Sequence, residues 1–470
     1  MIPEFAILGH PNEGKSSVLS TLAEDDSVRV SPIPGETTEC RTFPVIIDGR
    51  EVLRFTDTPG FQNPGRVLSE LKKLAENEVN PLKKFREFAA DIPELHDDRE
   101  LLGPVERGAG IIYVVDGSRP VRNVDRAEME ILRLTGKPRM AIINCKEDDK
   151  DHLLAWKAEF RKNFNSNRTF NAHRATYAER ILLLETLKSI DQDWQQVLSQ
   201  VVTAFKKDWE ARNNTTADII TSLLTEALTL QLTKNISSEE QEDKCREKLF
   251  VSYSEKISRM EKDAHQRIRN LFKHNIFRYD LPPHSILNKD LFDERTWQLL
   301  GLTRQQVVIA GGLGGAAIGA GVEMATFGHG LGIFTAMGTI AGALGALFGG
   351  ENFSGKARLL GIPLGGNKVQ VGPARSIDFL FILLNRSLLY YQHTINWAHG
   401  RRDYESQDHS LVQYQSPQGF TKNWSAGNIK ICHDFFKAIR NEKGENGKTV
   451  EKFRQLLLLT MQQISESDVV

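Results

Sequence analysis

The chain of 470 residues is poor in cysteine and has no excess of charge of either sign. Its four cysteines are far apart in sequence and show no metal-ligand spacing, so they indicate free thiols in a reducing compartment: Cys40, Cys145, Cys245 and Cys432. The formal net charge of −1 excludes a protein that is basic overall, so contact with nucleic-acid phosphates would need a local patch. No basic-then-apolar signal pattern precedes the first apolar run, and we therefore expect a cytoplasmic protein.

A phosphate-loop pattern lies near the start of the chain. Residues 9–17 read Gly-His-Pro-Asn-Glu-Gly-Lys-Ser-Ser, which is G-x-x-x-x-G-K-S followed by a second serine. The apolar run 5–8 before it predicts a buried strand, and residues 18–23 after it predict a helix. Glycines let backbone N–H groups turn toward a phosphate, and the helix N-terminus adds partial positive charge. This order predicts a nucleotide site with Lys15 on the β- and γ-phosphates and Ser16 on Mg²⁺.

A second motif follows a predicted hairpin. Two strand-like runs, 41–47 and 51–56, flank Asp48-Gly49, a strong hairpin signal, and the second run ends in Asp-Thr-Pro-Gly at 57–60. A carboxylate at a strand end that faces a phosphate loop can hold Mg²⁺ through a water molecule. The N–H group of Gly60 can meet a γ-phosphate.

Further apolar runs alternate with helical patterns up to about residue 178. Strands are predicted over 111–116, 140–143 and 169–173, and helical periodicity covers 68–90 and 125–134. Such alternation is typical of a mostly parallel sheet with helices on both faces. The predicted fold class is an α/β P-loop NTPase G domain over residues 1–178, followed by a mostly α-helical C-terminal domain.

These motifs resemble those of the TrmE-Era-like, translation-factor-class GTPases. Residues 9–17 are similar to the family's G-x-P-N-x-G-K-S-S loop, residues 34–39 (Pro-Gly-Glu-Thr-Thr-Glu) to its P-G-T-T-R-D switch I, and residues 57–60 to its switch II. The resemblance covers about residues 3–178. The whole chain also looks like a bacterial group of GTPases that carry a large C-terminal domain of unknown function.

The resemblance implies a GTP hydrolase that uses GTP/GDP and Mg²⁺. It assigns catalytic roles to Lys15, Thr37 and Gly60. It places Ser16 and Thr37 on Mg²⁺, with Thr38 as the alternative if the register slips, and Asp57 behind a metal-bound water. Asn144 would start the base-specificity loop, and residues 171–173 stand where S-A-K would be. The implied nucleotide-binding set is Gly9, Asn12, Glu13, Gly14, Lys15, Ser16, Ser17, Asp57, Asn144, Lys146, Glu147, Asp148, Ala172 and His173.

The Asn12 position has two interpretations. It matches the loop asparagine that binds K⁺ in potassium-stimulated members of the family. It can equally be a turn former beside Pro11.

Three positions depart from the family pattern. The base loop should read N-K-x-D but reads Asn-Cys-Lys-Glu-Asp at 144–148, so either Glu147 or Asp148 would take the guanine-reading carboxylate role. Thr38 stands where switch I has arginine. Phe61 follows Gly60, where a water-positioning glutamine would act. The resemblance therefore implies slow hydrolysis unless K⁺ at Asn12, a partner, or dimerisation of G domains assists it.

The C-terminal part divides into three predicted segments. Residues 179–302 show helical spacing over 183–205 and 216–232 and a charged helix to about 277. Its basic stretch 267–274 can meet RNA or an anionic membrane surface, or can be a solvated helix face. Residues 351–470 predict a short β-hairpin near 365–367 and helices over 377–397, 428–439 and 450–464.

Between them, residues 303–350 predict a Gly/Ala-rich apolar helical hairpin. Glycine recurs every fourth residue at 311, 315 and 319, a spacing that lets two helices approach closely. Two interpretations stay open. The hairpin inserts into or lies on a membrane, or it is a core hairpin of a soluble helical domain, as Glu323 at its centre favours.

The sequence thus predicts a cytoplasmic GTPase, with peripheral membrane association as one open interpretation. GTP binding and hydrolysis would change switches I and II and regulate the helical domain. The alternatives are a nucleotide-binding scaffold with little hydrolysis and an RNA- or ribosome-associated assembly GTPase. The partners considered are GTP, a second copy through the G domains, a membrane surface or protein at the helical region, and nucleic acid.

Overall fold

A six-stranded sheet forms the N-terminal part of the computed structural model. The structure describes residues 2–23, 39–47, 50–145, 151–171, 177–236, 242–272, 287, 291–292, 296, 300, 358–359, 362–363, 367–395, 419–440 and 446–467. The strand order is β2-β3-β1-β4-β5-β6, and all neighbours are parallel except β2 and β3. The strands are β1 Glu4–Leu8, β2 Arg41–Ile47, β3 Arg50–Asp57, β4 Gly110–Asp116, β5 Arg139–Asn144 and β6 Ser166–Phe170. The predicted mostly parallel α/β fold is confirmed.

Seven helices accompany the sheet in the described ranges. They are α1 Lys15–Ala23, α2 Pro64–Ala75, α3 Pro81–Phe88, α4 His96–Glu106, α5 Asn123–Leu134, α6 Leu153–Asn163 and α7 Tyr177–Leu187. Successive strand side chains point to opposite faces. Phe5 and Ile7 of β1 therefore join one hydrophobic cluster, while Ala6 and Leu8 join another. Both faces of the sheet are covered, as in parallel α/β domains.

The segment between β3 and β4 differs from its prediction. One helical region was expected over 68–90, but two helices, α2 and α3, occupy it, and short 3₁₀ turns at Ala89–Asp91 and Pro93–Leu95 lead into a third helix, α4. Pro81 stands at the first position of α3, where its missing N–H costs nothing. The side chain of Asn80 caps α3 by accepting a hydrogen bond from the N–H of Lys83 at 3.2 Å.

A single long helix, α8 (Gln192–Thr229), connects the sheet with the helical part. Its 38 residues correspond to about 57 Å of helix. The first half contributes Leu198, Val201 and Phe205 to a cluster with sheet residues, and the second half lies in the core of the helical part. The predicted bounds 183–205 and 216–232 are therefore wrong. The helical structure is interrupted at residues 188–191, between α7 and α8. Asp191 caps α8, which then continues as one helix to Thr229.

The helical part contains four more helices in the described ranges. They are α9 Glu242–Leu271, α10 Ile377–Ile395, α11 Ala426–Arg440 and α12 Asn446–Ser467, with a 3₁₀ turn at Phe420–Asn423. Strand β7 (Leu232–Ile236) pairs antiparallel with β10 (Asn367–Val371), and β8 (Arg358–Leu359) pairs with β9 (Ile362–Pro363). The short hairpin thus lies slightly before the turn predicted at 365–367, and β10 has a distant partner in sequence. A mostly helical C-terminal part is confirmed.

The apolar segment 303–350 lies outside the described residues. Its hairpin, and the bounds 1–178, 179–302, 303–350 and 351–470, stay predictions. Among the helices that the structure describes, none has the length and apolar character needed to cross a bilayer.

Candidate functional site

The phosphate-loop motif connects the end of β1 to the start of α1. Strand β1 lies between β3 and β4, where the strand order reverses, and ligands of open α/β sheets bind at such points. Gly9 and Gly14 have φ angles of 150° and 89°, and Asn12 has a φ of 66°. These left-handed conformations turn the loop backbone back over the strand end. The predicted order of strand, loop and helix is present.

Lys15 places a buried cation in this loop. Its Nζ donates to the carbonyl oxygens of Gly9 at 3.3 Å and His10 at 3.0 Å. Burial lowers the pKa of Lys15, while the negative charges of Asp57, Glu128 and Glu13 raise it. An ammonium group that two loop carbonyls hold within the phosphate loop is suited to neutralising a phosphate.

Ser16 and Asp57 form a pair that fits a magnesium ion. The Ser16 hydroxyl donates to Asp57 Oδ2 at 3.0 Å. The other oxygen, Oδ1, is buried and has no hydrogen-bond partner among the described residues. Burial raises the pKa of Asp57, against the nearby charge of Lys15. Because buried polar atoms are normally paired and Mg²⁺ prefers oxygen ligands, this unpaired oxygen beside a hydroxyl fits a bound Mg²⁺ or its water.

Residues 58–61 lie directly against the phosphate loop. The hydroxyl of Thr58 donates to the carbonyl of Ile7 at 2.8 Å, and the N–H of Phe61 donates to the carbonyl of Gly9 at 3.3 Å. A Cβ at Gly60 would lie 2.7 Å from Pro11, so only glycine allows this approach. The Phe61 ring is fully buried. Residue 61 therefore offers the site a backbone but no polar side chain.

A buried carboxylate, Glu13, connects the loop to the rest of the domain. It accepts hydrogen bonds from the N–H of Asp116 and from Nε of Arg119 at 3.0 Å. Arg119 also donates to Asp125 at 2.8 and 2.9 Å. At the end of β5, the Nδ2 of Asn144 donates to the Glu13 carbonyl at 3.1 Å. Asn144, predicted to start the base-specificity loop, thus lies against the phosphate loop.

His10 has a second buried carboxylate as its partner. Its Nδ1 lies 2.8 Å from Glu128 Oε1, and the hydroxyl of Tyr113 donates to Glu128 Oε2 at 2.8 Å. Burial raises the pKa of Glu128, while His10 and Tyr113 lower it. Helix α5 therefore contacts the phosphate loop through two acidic residues: Glu128 bonds His10 directly, and Asp125 is connected to Glu13 through Arg119.

Part of the predicted site lies outside the described residues: Thr37, Thr38, Lys146, Glu147, Asp148, Ala172 and His173. The structure brings together Gly9, Glu13, Gly14, Lys15, Ser16, Asp57, Gly60 and Asn144, and Ser17 is buried at the start of α1. Asn12 is exposed at the loop surface. Its K⁺ role stays a prediction. Asp116 caps a turn, since its carboxylate accepts from the N–H and hydroxyl of Ser118 at 3.0 and 2.6 Å.

Three supporting residues belong to no motif and were not predicted: Arg119, Asp125 and Glu128. One signal was present. Asp125 and Glu128 are three residues apart in a helix that also carries Met129 and Leu132, which places acidic groups beside the apolar face. Periodicity alone could not say that this face lies under the phosphate loop.

Two family models match the chain. The model described as "Domain of unknown function (DUF3482)" matches residues 157–461. The model described as "50S ribosome-binding GTPase" matches residues 4–145. Together with the sheet order, this second match identifies the N-terminal unit as an α/β P-loop GTPase domain.

Two curated relatives each match about a third of the chain. GTPase Der of Thermotoga petrophila is 26% identical over 161 residues, which are 34% of this chain and 31% of that protein. GTPase Der of Agathobacter rectalis is 28% identical over 142 residues, 30% of this chain and 27% of that protein. The chain thus spans about a third of the length of these relatives.

One solved structure that the chain matches is Era in complex with MgGDPNP and nucleotides 1506–1542 of 16S ribosomal RNA. It is 14% identical, with a TM-score of 0.28, and the match covers 59% of this chain and 91% of that one.

Proposed function

Because the chain belongs to the DUF3482 family and carries an N-terminal P-loop GTPase domain, we propose that it binds GTP with Mg²⁺ and hydrolyses it. The observation that carries this proposal is the unpaired buried Asp57 Oδ1 beside the Ser16 hydroxyl. This pair lies next to Lys15 of the phosphate loop, and the backbone conformation of that loop suits phosphate binding. A buried carboxylate oxygen without a partner is costly unless a ligand uses it.

Each residue of the site has a proposed role. Mg²⁺, when bound, would neutralise phosphate charge, with Ser16 and Thr37 as ligands and Asp57 holding a metal-bound water. Lys15 neutralises the β- and γ-phosphates. The backbone N–H of Gly60 holds the γ-phosphate, as the close approach of Gly60 to Pro11 of the phosphate loop favours.

The nucleotide base would be read by the loop that follows β5. Asn144 fixes the start of this loop against Glu13. We propose that Glu147 or Asp148 accepts the N1–H and N2–H of guanine, with Lys146 and residues 172–173 beside the base. A carboxylate at this place separates GTP from ATP.

We propose further that the nucleotide state controls the helical part. Arg180 of α7 supports this idea because it contacts both sides. Its Nε donates to the carbonyl of Leu22, at the end of α1, at 3.2 Å, and its guanidinium lies 4.3 Å from the Phe205 ring of α8. Helix α8 then continues into the core of the helical part. Hydrogen exchange of α8 and α10 with GDP and with a non-hydrolysable GTP analogue tests the relay, and equal exchange in both states contradicts it.

Phosphate release from GTP and ATP, in KCl and in NaCl, tests the main proposal. The variants are Lys15→Ala and Asp57→Asn, and the matched control is Lys73→Ala on the exposed face of α2. We expect GTP turnover that both site variants lose and the control keeps. K⁺ stimulation would support the cation role of Asn12. Tight GTP binding without turnover in either salt would favour the scaffold alternative, and ATP preference would contradict the assigned base loop.

A second candidate, an RNA-associated GTPase, has one observation in its favour: the match to the 50S ribosome-binding GTPase model. We infer that its contact surface would be the end of α9, where Arg267 is exposed. Arg267→Glu combined with Arg269→Glu should then abolish salt-sensitive RNA binding. Binding that is absent, or independent of salt, contradicts this candidate.

A further inference from the structure

Asp98 in the first turn of α4 holds the backbone that follows Gly60. Its Oδ1 accepts the N–H of Gln62 at 3.0 Å, and its Oδ2 accepts the N–H of Asn63 at 3.1 Å. The carboxylate is fully buried. Both oxygens are therefore used on two consecutive backbone groups, an arrangement that fixes the position of a chain segment.

The same segment is attached to the phosphate loop on its other side. The N–H of Phe61 donates to the Gly9 carbonyl, and the Phe61 ring packs in one cluster with Leu95, Leu101 and Leu102 around α4. Because α4 packs into this hydrophobic cluster, the Asp98 carboxylate has a fixed position relative to the sheet. The connection from Gly9 through residue 61 to Asp98 leaves Gly60 little freedom.

We propose that Asp98 is a positioning residue that holds Gly60 where its N–H meets the γ-phosphate of GTP. This inference rests on the proposed function, and it deepens it by naming a residue on which the affinity for GTP depends and the affinity for GDP does not. GDP has no γ-phosphate, so its affinity does not depend on the position of Gly60. A residue with a merely structural role would change the affinities for both nucleotides together.

The two hydrogen bonds from the N–H groups of Gln62 and Asn63 to Asp98, here called the clamp, depend on the ionisation of Asp98, and nearby charges affect that ionisation. Burial raises the pKa of Asp98 to about 6, while the two backbone hydrogen bonds lower it. Asp97 on its own helix and Glu128 on α5 are both negative and raise the pKa further. Hydrogen bonds to an ionised carboxylate are the stronger ones, so protonation of Asp98 weakens the hold on residues 62–63.

Asp98→Asn tests the proposal, because it keeps the shape but places an NH₂ group against one of the two N–H donors. Affinities for GDP and for a non-hydrolysable GTP analogue are measured at pH 7.5. We expect the ratio of GTP-analogue to GDP affinity to fall about tenfold, as for the loss of one charge-assisted bond, while GDP affinity stays within about twofold. An unchanged ratio, or an equal loss of both affinities, overturns the proposal. The matched control is Asp97→Asn, a neighbouring carboxylate that pairs with His96 at the surface.

A measurement on the wild-type chain covers the case in which Asp98→Asn does not fold. Amide exchange of the segment with residues 61–63 is followed at pH 7.5 and 5.5, corrected for the intrinsic pH dependence of exchange. We expect protection of the Gln62 and Asn63 amides to fall at pH 5.5, and constant protection overturns the clamp. If the wild type binds neither nucleotide, the proposed function fails, but this exchange still decides whether the clamp exists.

Discussion

Arg119, in the loop after β4, forms an ion pair with Glu13 inside the phosphate loop, with Nη2 and Oε1 2.5 Å apart. The same guanidinium bonds Asp125 of α5 and lies 5.1 Å from the Trp156 ring of α6. The side chains of Glu13 and Asp125 are 4% and 0% exposed. Arg119 therefore bridges two buried carboxylates. Arg122 also pairs with Asp125 at 3.2 Å and lies 3.8 Å from Glu13, so removing Arg119 takes from Glu13 its nearest cation and leaves Asp125 with Arg122.

We expect Arg119→Met to lower the free energy of unfolding by about 1.5–3 kcal/mol, the usual contribution of hydrogen bonds to charged groups, because Arg122 still pairs with Asp125. GDP affinity should fall as well, because Glu13 belongs to the loop that would surround the phosphates. Urea unfolding followed by circular dichroism, with GDP titration of the folded variant, measures both effects.

The matched control is Arg126→Met on the same helix as Asp125. Arg126 pairs with Glu159 at 3.2 Å, but its side chain is 51% exposed. Exposed pairs contribute about 1 kcal/mol or less. Equal losses for the two variants would show that the Glu13–Arg119 pair has no special importance.

The fold of the N-terminal unit could be predicted because its signals are local. Strand β1, the phosphate loop and α1 follow one another within residues 4–23, and each needs only its own residue pattern. Similarly, Asp57 and Gly60 could be placed near Lys15, since the carboxyl ends of parallel strands meet at one edge of the sheet.

The rest depends on contacts between distant parts of the chain. Glu13 and Arg119 are 106 positions apart, and β7 pairs with β10 across the whole apolar segment. The spacing of apolar residues along the sequence carries no information about such pairs. The bounds of α8 were missed for a related reason: polar residues between the two apolar patterns looked like a break, whereas the helix passes there from one core to the other.

Trp194 at the start of α8 packs against the sheet. Its ring meets the ring of Phe5 in β1 edge-on, with centroids 5.0 Å apart. We expect Trp194→Ala to lower the free energy of unfolding by about 3 kcal/mol or more, as for other large aromatic deletions. Chemical unfolding measures the loss. Leu154→Ala, at a side chain that is 82% exposed, should change stability by less than about 0.5 kcal/mol. A Trp194→Ala effect as small as that would mean that α8 is held elsewhere.

The helical core contains a buried ion pair between Arg386 of α10 and Glu261 of α9. Arg386 Nε and Nη2 lie 2.5 and 2.9 Å from the two carboxylate oxygens. Arg386→Met alone should cost about 3–5 kcal/mol, because Glu261 then stays buried without its partner. The double variant Glu261→Leu with Arg386→Met should recover most of this loss, since apolar replacements of buried pairs are often neutral. A double-mutant cycle of unfolding free energies measures the coupling, and additive losses would contradict it.

His265, one turn after Glu261, is a buried titratable group of the helical core. Its ring stacks on Tyr390 with centroids 3.9 Å apart, and its Nε2 is buried without a hydrogen-bond partner in the part of the chain that the structure describes. Burial lowers the pKa of His265 to about 4, with Glu261 opposing and Arg386 adding to the shift. An unfolded histidine has a pKa of about 6.5.

The unfolded chain therefore binds a proton between about pH 6.5 and pH 4 that the folded chain does not, so this histidine lowers stability as pH falls through that window. His265→Phe keeps a ring against Tyr390 but removes the proton site. We expect the variant to lose less unfolding free energy than the wild type between pH 7 and 4.5, measured by urea titration at each pH. His96→Gln, at an exposed position, is the control for removing a histidine outside the helical core. Since other groups titrate equally in both proteins, parallel curves for His265→Phe and the wild type would show that His265 is protonated in the folded protein as readily as in the unfolded one.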